Sequence, residues 1–513
     1  MVAVGQAVRA VFRADATVAG GAGHVIRCLG LAHEFDRAGW HVAFASREGT
    51  SQYAPQLDQA AHELFELSGD AGSEPAHLIG RWPAGAGVLI VDHYERDRQF
   101  ESACRPWARR ILAIDDLAGR LHECDVLLDQ APAGTIPTRA GELAARCLVL
   151  RGPRYALLRP EFARLRRKVV PRNGQGPVKR VLIGMGATDP DDASGRVLDG
   201  IERSGCAVEV DVVIGSGAPH LSRLRQRVAA SALPARLHVD TGEVADLMAC
   251  ADLAIGAAGI ASWERCCVGL PALVAVIAGN QEPNARALGD AGAAVLLGKG
   301  QDLTAAAVAT AVRALCGDQQ ALSRMSEAAA RLCDGRGARR VMLAVLGQET
   351  AKDGRPVSLL LAEEQDSEML FEWQRNPETR RYARNPNPPG PDEHARWFQA
   401  RLADPISWLT MICHGGEPVG VLRLDPITPI TSMKRDKALE VSIHLRSDRH
   451  RQGIGAAALT LARRLMPGYD LFAEVMQANE ASRHLFERSG YHLLDGWYVD
   501  RRAASAGECA RCV

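Results

Sequence analysis

Arg13-Ala-Asp15, closing a short apolar run, and then Gly20-Gly-Ala-Gly-His24-Val-Ile-Arg27 read as a strand, a glycine turn and the entry to a helix. Glycines let the chain turn tightly and bring main-chain N–H groups close to a ligand. His24 falls at the start of the helix, a position that suits an imidazole acting as a base. These local residues leave two readings open: His24 caps the turn, or His24 does chemistry.

The pattern around this stretch repeats. Runs Ala7–Phe12, Trp40–Ala45, Gly87–Val91, Arg110–Ile114, Val126–Leu128 and Cys147–Leu150 are β-rich, with helical patterns such as Val25–Ala38 and Glu142–Ala145 between them. Strand–helix alternation implies a parallel sheet covered on both faces. A basic, Pro/Gly-rich stretch, Arg164–Pro177, reads as a linker. The alternation restarts at Val178–Ile183 and runs through Val208–Ile214, Arg236–Val239, Leu253–Ile255, Ala272–Val276 and Ala294–Leu296, closing with helical patterns Leu303–Cys316 and Leu322–Leu346. The expected fold is α/β: two tandem Rossmann-like doubly wound domains, 1–170 and 178–346.

Residues 347–355 read as a second linker, 356–500 as a mixed α+β domain and 501–513 as a tail. In the third domain, strand Val357–Ala362 precedes helices Asp366–Trp373 and Pro391–Leu402. Strands Ile406–Cys413, Pro418–Leu424 and Ala438–Leu445 follow without intervening helices. Helix Gly453–Leu465, strand Asp470–Val475, helix Glu480–Ser489 and strand Tyr491–Val499 complete it.

Bulk composition narrows the classes. With 513 residues the chain exceeds one core, and 47% hydrophobic with 24% charged residues is an ordinary globular balance. Zero formal net charge argues against broad capture of nucleic acid or anionic membrane. No apolar run reaches the length of a membrane span. The 13 scattered cysteines are expected to be reduced thiols in a cytoplasmic protein. Cys509-Ala-Arg-Cys512 alone is a weak metal signal, and no metal is expected.

Ligands of doubly wound sheets lie at the carboxyl ends of the strands, so chemistry-bearing residues should follow strands. His24, Asp92-His93-Tyr94 and Asp115-Asp116 do so in the first unit. Gly184-Met-Gly186-Ala-Thr188-Asp189, Gly256-Ala-Ala-Gly259-Ile260-Ala-Ser262-Trp-Glu264 and Asn280-Gln281-Glu282 do so in the second. Six such loops point to a shared site. The Gly256–Ser262 turn presents N–H groups to an anion, and Glu264 either caps the helix or accepts from the two hydroxyls of a ribose. Together they describe a nucleoside diphosphate. There is no P-loop Gly-Lys-Ser/Thr.

These motifs, with Gly152-Pro-Arg-Tyr155-Ala-Leu-Leu-Arg159-Pro-Glu-Phe162 and Gly259-Ile-Ala-Ser-Trp-Glu264-Arg-Cys-Cys, resemble the UDP-sugar hydrolases of pseudaminic acid biosynthesis over about residues 5–345. Such enzymes look like glycosyltransferases of the two-Rossmann B type. The resemblance implies a metal-free hydrolysis of UDP-2,4-diacetamido-2,4,6-trideoxy-β-L-altropyranose to the free sugar and UDP, inverting at the anomeric carbon. It gives His24 the water, the Gly259–Ser262 amides (with Ile260) the diphosphate, and Glu264 the ribose. Asp15, Gly23, Tyr94, Gly186, Asn280 and Gln281 would border the sugar or diphosphate.

In the third domain, Arg449-His-Arg451-Gln452-Gly453-Ile454-Gly455-Ala456 precedes a helix, and Asn479-Glu-Ala-Ser482 through Gly490-Tyr491 follows. Both blocks resemble GCN5-related N-acetyltransferases over about residues 356–500. The resemblance implies acetyl-CoA as co-substrate, its diphosphate on the glycine loop and its pantetheine near Asn479. Phe486 stands where many members carry a tyrosine acid. Tyr491, Tyr498, His484 or solvent remain for that role, and Glu440 for removing the amine proton. His394 and Trp397 read as packing, or as part of an amino-sugar acetyltransferase helix. Fusion suggests acetylation of the 4-amino group of the UDP-sugar precursor. The expected partners are small molecules, not nucleic acid or membrane, with the oligomeric state open. Rival readings are a UDP-sugar glycosyltransferase, a non-catalytic nucleotide-sugar scaffold, and an acetyltransferase of other amines, proteins included.

Overall fold

A computed structural model describes residues 8–18, 20–117, 119–132, 147–170, 176–427 and 437–500. The expected helix Glu142–Ala145, the 171–175 part of the linker and the tail 501–513 lie outside the described residues. The chain divides into two compact units, one holding Arg9–Glu34 and Val42–Val341, the other mainly Met342–Val513.

The first unit contains two parallel sheets. In the first run β1 (Arg9–Ala14), β2 (His41–Arg47), β3 (Glu63–Leu67), β4 (Val88–Asp92), β5 (Ile111–Ile114), β6 (Val126–Asp129) and β7 (Leu148–Arg151), ordered β3-β2-β1-β4-β5-β6-β7. The second has β8 (Arg180–Gly184), β9 (Glu209–Ile214), β10 (Ala235–Val239), β11 (Leu253–Ala257), β12 (Ala272–Val276) and β13 (Ala294–Lys299), ordered β10-β9-β8-β11-β12-β13. The order reverses between β1 and β4 and again between β8 and β11. Crevices open beyond the carboxyl ends at these switch points. The continuous burial of β4 and β11 is what a sheet covered on both faces requires.

Three expectations needed correction here. Edge strand β3 was missed, because Glu63-Leu-Phe-Glu-Leu67 carries two charges in five residues and is only half buried. The helical pattern Leu322–Leu346 is two helices, Gln319–Leu332 and Gly337–Leu346, separated where Gly335 takes φ 79°. Helix Pro160–Val169, placed with the first domain, packs Phe162 and Leu165 into the core of Trp263, Leu182 and Met248 in the second. Each buried side chain of that size contributes roughly 1.5–3 kcal/mol, which ties the crossover helix to the second sheet.

The second unit is built on an eight-stranded sheet: β14 (Glu349–Thr350), β15 (Pro356–Leu361), β16 (Trp408–His414), β17 (Glu417–Pro426), β18 (Ala438–Leu445), β19 (Asp470–Glu474), β20 (His492–Leu494) and β21 (Trp497–Asp500), ordered β14-β15-β16-β17-β18-β19-β21-β20. Glu349–Thr350, in the stretch read as a linker, pairs with Pro356 and Val357 as its first strand. The expected strand Tyr491–Val499 is a hairpin, turning at Asp495-Gly496 with φ 48° and 85°, the Asp-Gly signature of a tight two-residue turn. Beside β19, β18 pairs in parallel only through Ala438, Leu439 and Glu440, yet pairs with β17 as far as Leu445. The two strands therefore part after Glu440.

Candidate functional site

At the β1–β4 switch point, helix Gly23–Arg37 begins immediately after a turn closed by Thr17 and Gly21, whose N–H donates to Thr17 O at 2.8 Å with φ 69°. This delivers His24 to the end of β4, where Asp92 is fully buried. His24 Nδ1 lies 2.6 Å from Asp92 Oδ1. A carboxylate only accepts, so Nδ1 carries the proton and Nε2 is left as an acceptor.

Asp92 is in turn held by Arg27, whose Nε and Nη2 each donate to it at 2.6 Å. Burial raises the Asp92 pKa, but the Arg27 charge and His24 outweigh it and hold the carboxyl well below the usual range. Arg27 Nη1 donates to Asp116 at 3.2 Å, and Tyr94 Oη donates to the other Asp116 oxygen at 3.1 Å. Burial and the Asp116 charge push the Tyr94 phenol up, so it stays protonated. The Tyr94 ring meets the His24 ring edge-on at 4.6 Å.

Both sheets contribute to this crevice. Asn280 Nδ2 donates to Tyr94 Oη at 2.9 Å, and a Cβ at Gly23 would stand 3.0 Å from Ile260 Cδ1. Gly259 approaches Gln281, with 3.3 Å from its would-be Cβ to Nε2, and Gln281 Oε1 accepts from Ile277 N at 3.2 Å. Gly186 takes φ 96° and faces Ile277. Ser262 is buried beneath the loop and accepts from Arg265 Nη2 at 2.9 Å. Glu264 is buried with Arg159 Nη2 at 3.7 Å. Burial raises its pKa against the opposing Arg159 charge.

Asp15 sits elsewhere in the network. It accepts from Arg13 at 2.6 and 3.0 Å, from Arg47 N at 2.8 Å and from His93 Nε2 at 3.0 Å. Arg13 and Arg96 also clamp Glu74, which sits at about 2 because their hydrogen bonds outweigh its burial. Asp115 is committed to the buried His122 at 2.9 Å and Arg120 at 2.9 Å. The chemistry-bearing partners that the sequence reading left without roles are Asp92, Arg27 and Asp116. Their only local signal was a charge at a strand end or one helical turn past His24.

In the second unit, Gly453 adopts φ 83° and opens helix Ile454–Leu465, while Arg451 takes φ 63°. Gln452 is fixed by Asp448 O at 3.2 Å and by Lys352 N at 2.9 Å, and Gly455 packs on Leu485. Ala456 lies in the first turn. Arg449 pairs with Glu417 at 2.6 Å, whereas exposed Arg451 has no ion pair among the described residues. Asn479 Oδ1 accepts from Ser482 N at 3.1 Å as the cap of the last helix.

Glu440 stands where β18 and β19 part, bonded by Arg384 Nη2 at 2.7 Å, and Arg384 also reaches Glu474. Tyr491 is buried, its hydroxyl without a partner among the described residues, within the fields of Asp500 and Arg463. Tyr498 Oη donates to Glu487 at 3.1 Å and its ring stacks on Phe486. His394 is packed among Phe371, Trp397 and Phe398.

These features define two Rossmann-like parallel-sheet domains and a mixed α+β domain. Residues 357–492 match the Acetyltransferase (GNAT) domain family. The chain is homologous to the UDP-2,4-diacetamido-2,4,6-trideoxy-beta-L-altropyranose hydrolase of Campylobacter jejuni, 27% identical over 243 residues, 47% of this chain and 81% of that protein. It also resembles the spore coat polysaccharide biosynthesis protein SpsG of Bacillus subtilis, 30% identical over 155 residues, 30% of this chain and 44% of that protein. The uncharacterized protein MJ1062 of Methanocaldococcus jannaschii is 22% identical over 265 residues, 51% of this chain and 54% of that protein. The chain thus spans about half the length of these last two relatives. Among the described residues no helix is long and apolar enough to cross a membrane, and no group of three or more His, Cys, Asp or Glu is arranged to hold a metal ion.

Proposed function

We propose that the chain hydrolyses UDP-2,4-diacetamido-2,4,6-trideoxy-β-L-altropyranose to the free sugar and UDP, with inversion. The observation that carries this reading is the 2.6 Å contact between His24 Nδ1 and Asp92 Oδ1. It leaves Nε2 as the basic face of the imidazole, and Asp92 stabilises the imidazolium that forms when water gives up its proton. Positive charge develops on the anomeric carbon as UDP departs, and water enters from the opposite face. Amides of Gly259–Ala261 take the diphosphate charge, the Ser262 N–H being bonded to Gly259 O at 3.0 Å, and Glu264 accepts from the ribose hydroxyls. Tyr94 and Asn280, bonded at 2.9 Å, would contact the sugar or diphosphate, with Gly23, Ile260, Gly186 and Gln281 shaping the crevice.

The GNAT domain, in this reading, acetylates the 4-amino group of the UDP-sugar precursor. The parted strands after Glu440 and the αL turn at Gly453 fit a thioester arm and its diphosphate. Gln452–Ala456 would hold the diphosphate, with Arg451, which has no ion pair among the described residues, adding charge. Bound there, acetyl-CoA supplies an activated acetyl group. Glu440 receives the amine proton. The pathway would supply a flagellin or surface glycan, in the cytoplasm.

The test is product analysis of the full chain incubated with the UDP-4-amino-sugar and acetyl-CoA, without any acceptor. UDP and an N-acetylated free sugar in equal amounts support both activities. Intact acetylated UDP-sugar refutes the hydrolase reading, and unacetylated amine refutes the acetyl transfer.

A further inference from the structure

Arginine residues buried in the first unit generally come with carboxylates. Arg13 meets Asp15 and Glu74, Arg27 meets Asp92 and Asp116, and Arg96 meets Glu74. Arg265 departs from this pattern. It is 3% exposed, in helix Ala261–Cys267 directly after the Gly256–Gly259 loop. Its Nη2 donates to Ala257 O at 2.7 Å and to Ser262 Oγ at 2.9 Å, both neutral acceptors. Among the described residues it forms no ion pair. Burial draws its pKa down to about 10, with Glu264 opposing too weakly to restore it.

A buried charge without a counter-charge is destabilising unless something else supplies one. The guanidinium lies close under the strand end: a Cβ at Gly256 would stand 2.6 Å from Nη1 and 2.7 Å from the backbone oxygen of Gly184. Ser262 Oγ receives the Arg265 hydrogen bond, and its own proton has only a long 3.4 Å contact to Ala257 O. The hydroxyl thus shares the Ala257 carbonyl with the guanidinium.

We propose that Arg265 is the counter-charge for the diphosphate of the nucleotide, acting from beneath the loop as a positioning residue held by Ala257 O and the Ser262 hydroxyl. This rests on the reading that UDP occupies the Gly259–Ser262 loop. It adds the source of the preference for a diphosphate over a neutral nucleoside, which loop amides alone would supply only weakly. No bond is made or broken by Arg265.

The test is calorimetric titration of the full chain with UDP and with uridine. Wild type binds UDP far more tightly than uridine. Arg265→Met weakens UDP roughly 10- to 100-fold, the range for a hydrogen-bonded charge, and leaves uridine unchanged. Arg265→Lys restores part of the loss. A merely structural defect would weaken both ligands alike, so an unchanged UDP-to-uridine ratio in Arg265→Met overturns the proposal while wild-type UDP binding keeps the nucleotide reading. Wild type that does not bind UDP overturns both. Ser262→Ala, which keeps the guanidinium, loses part of the same ratio. If Arg265→Met does not fold, inorganic pyrophosphate decides with wild type and Ser262→Ala: protection of wild type against thermal unfolding, reduced in the variant, supports the proposal, and equal or absent protection overturns it.

Discussion

Asn280 Nδ2 donates to Tyr94 Oη at 2.9 Å, joining a loop after β12 to a loop after β4 across 186 residues. Tyr94 passes the connection to Asp116, which shares Arg27 with Asp92, the partner of His24. The loop after β12 and the imidazole are thereby linked through one run of hydrogen bonds. Tyr94→Phe removes the two bonds while keeping the ring against His24. Steady-state kinetics should show sugar release reduced about 10-fold or more, as expected when a half-buried Asp116 oxygen loses its donor. UDP affinity should change far less.

Asp92→Asn keeps the shape but offers an amide where His24 needs an acceptor. The histidine tautomer is then no longer fixed. UDP release should fall by about 10²–10⁴-fold, with UDP binding retained. His24→Ala should give a loss of the same order, and the double variant should add little to either. A His24→Ala variant with near-normal turnover would remove His24 from the chemistry.

His122 places both ring nitrogens against carboxylates, Glu101 at 2.7 Å and Asp115 at 2.9 Å. Burial lowers its pKa, yet the two carboxylates outweigh this and raise it to about 9. The folded value lies above the unfolded one of 6.5, so the stabilisation is fully present below pH 6.5 and is lost as pH rises through about 9. It amounts to at most about 3 kcal/mol. Thermal unfolding followed from pH 6 to 10 should show wild type losing stability over that window, while His122→Gln shows a flatter profile and lower stability at its acid end.

Glu440→Gln should lower kcat for acetyl transfer about 100-fold near neutral pH, with KM for acetyl-CoA unchanged, if the carboxylate takes the amine proton. Arg384, bonded to Glu440 and Glu474, is the control. An equal loss in Arg384→Ala would instead mean that Glu440 acts by holding the loop that carries Arg384. Tyr491→Phe should leave acetyl transfer intact, because its hydroxyl is buried without a partner among the described residues and burial holds its proton.

Much of the architecture was legible because buried parallel strands are short apolar runs, and those of β4, β11 and β12 stand out plainly. Edge strand β3 was not, since its half-buried pattern with two glutamates mimics a helix surface. The Asp495-Gly496 hairpin was legible in principle, but the continuous run from Tyr491 to Val499 hid it. The glycine loops and His24 were visible as strand-end residues. Their partners were not: Asp15 and Asp116 look alike in sequence, yet Asp15 is enclosed by Arg13 and His93 while Asp116 meets Tyr94 and Arg27.

By itself the sequence determined the strand–helix alternation, the positions of the glycine turns and the acetyltransferase signature, because periodicity and backbone freedom are local properties. Only the tertiary structure decided which charges meet. His24 and Asp92 are 68 residues apart and touch because β1 and β4 are neighbours at a reversal of strand order. Among the described residues Arg265 meets no counter-charge, for the same kind of reason. A charge buried between a strand end and a helix is neutralised by whatever the fold brings beside it, and here the fold brings a carbonyl, a hydroxyl and an open loop.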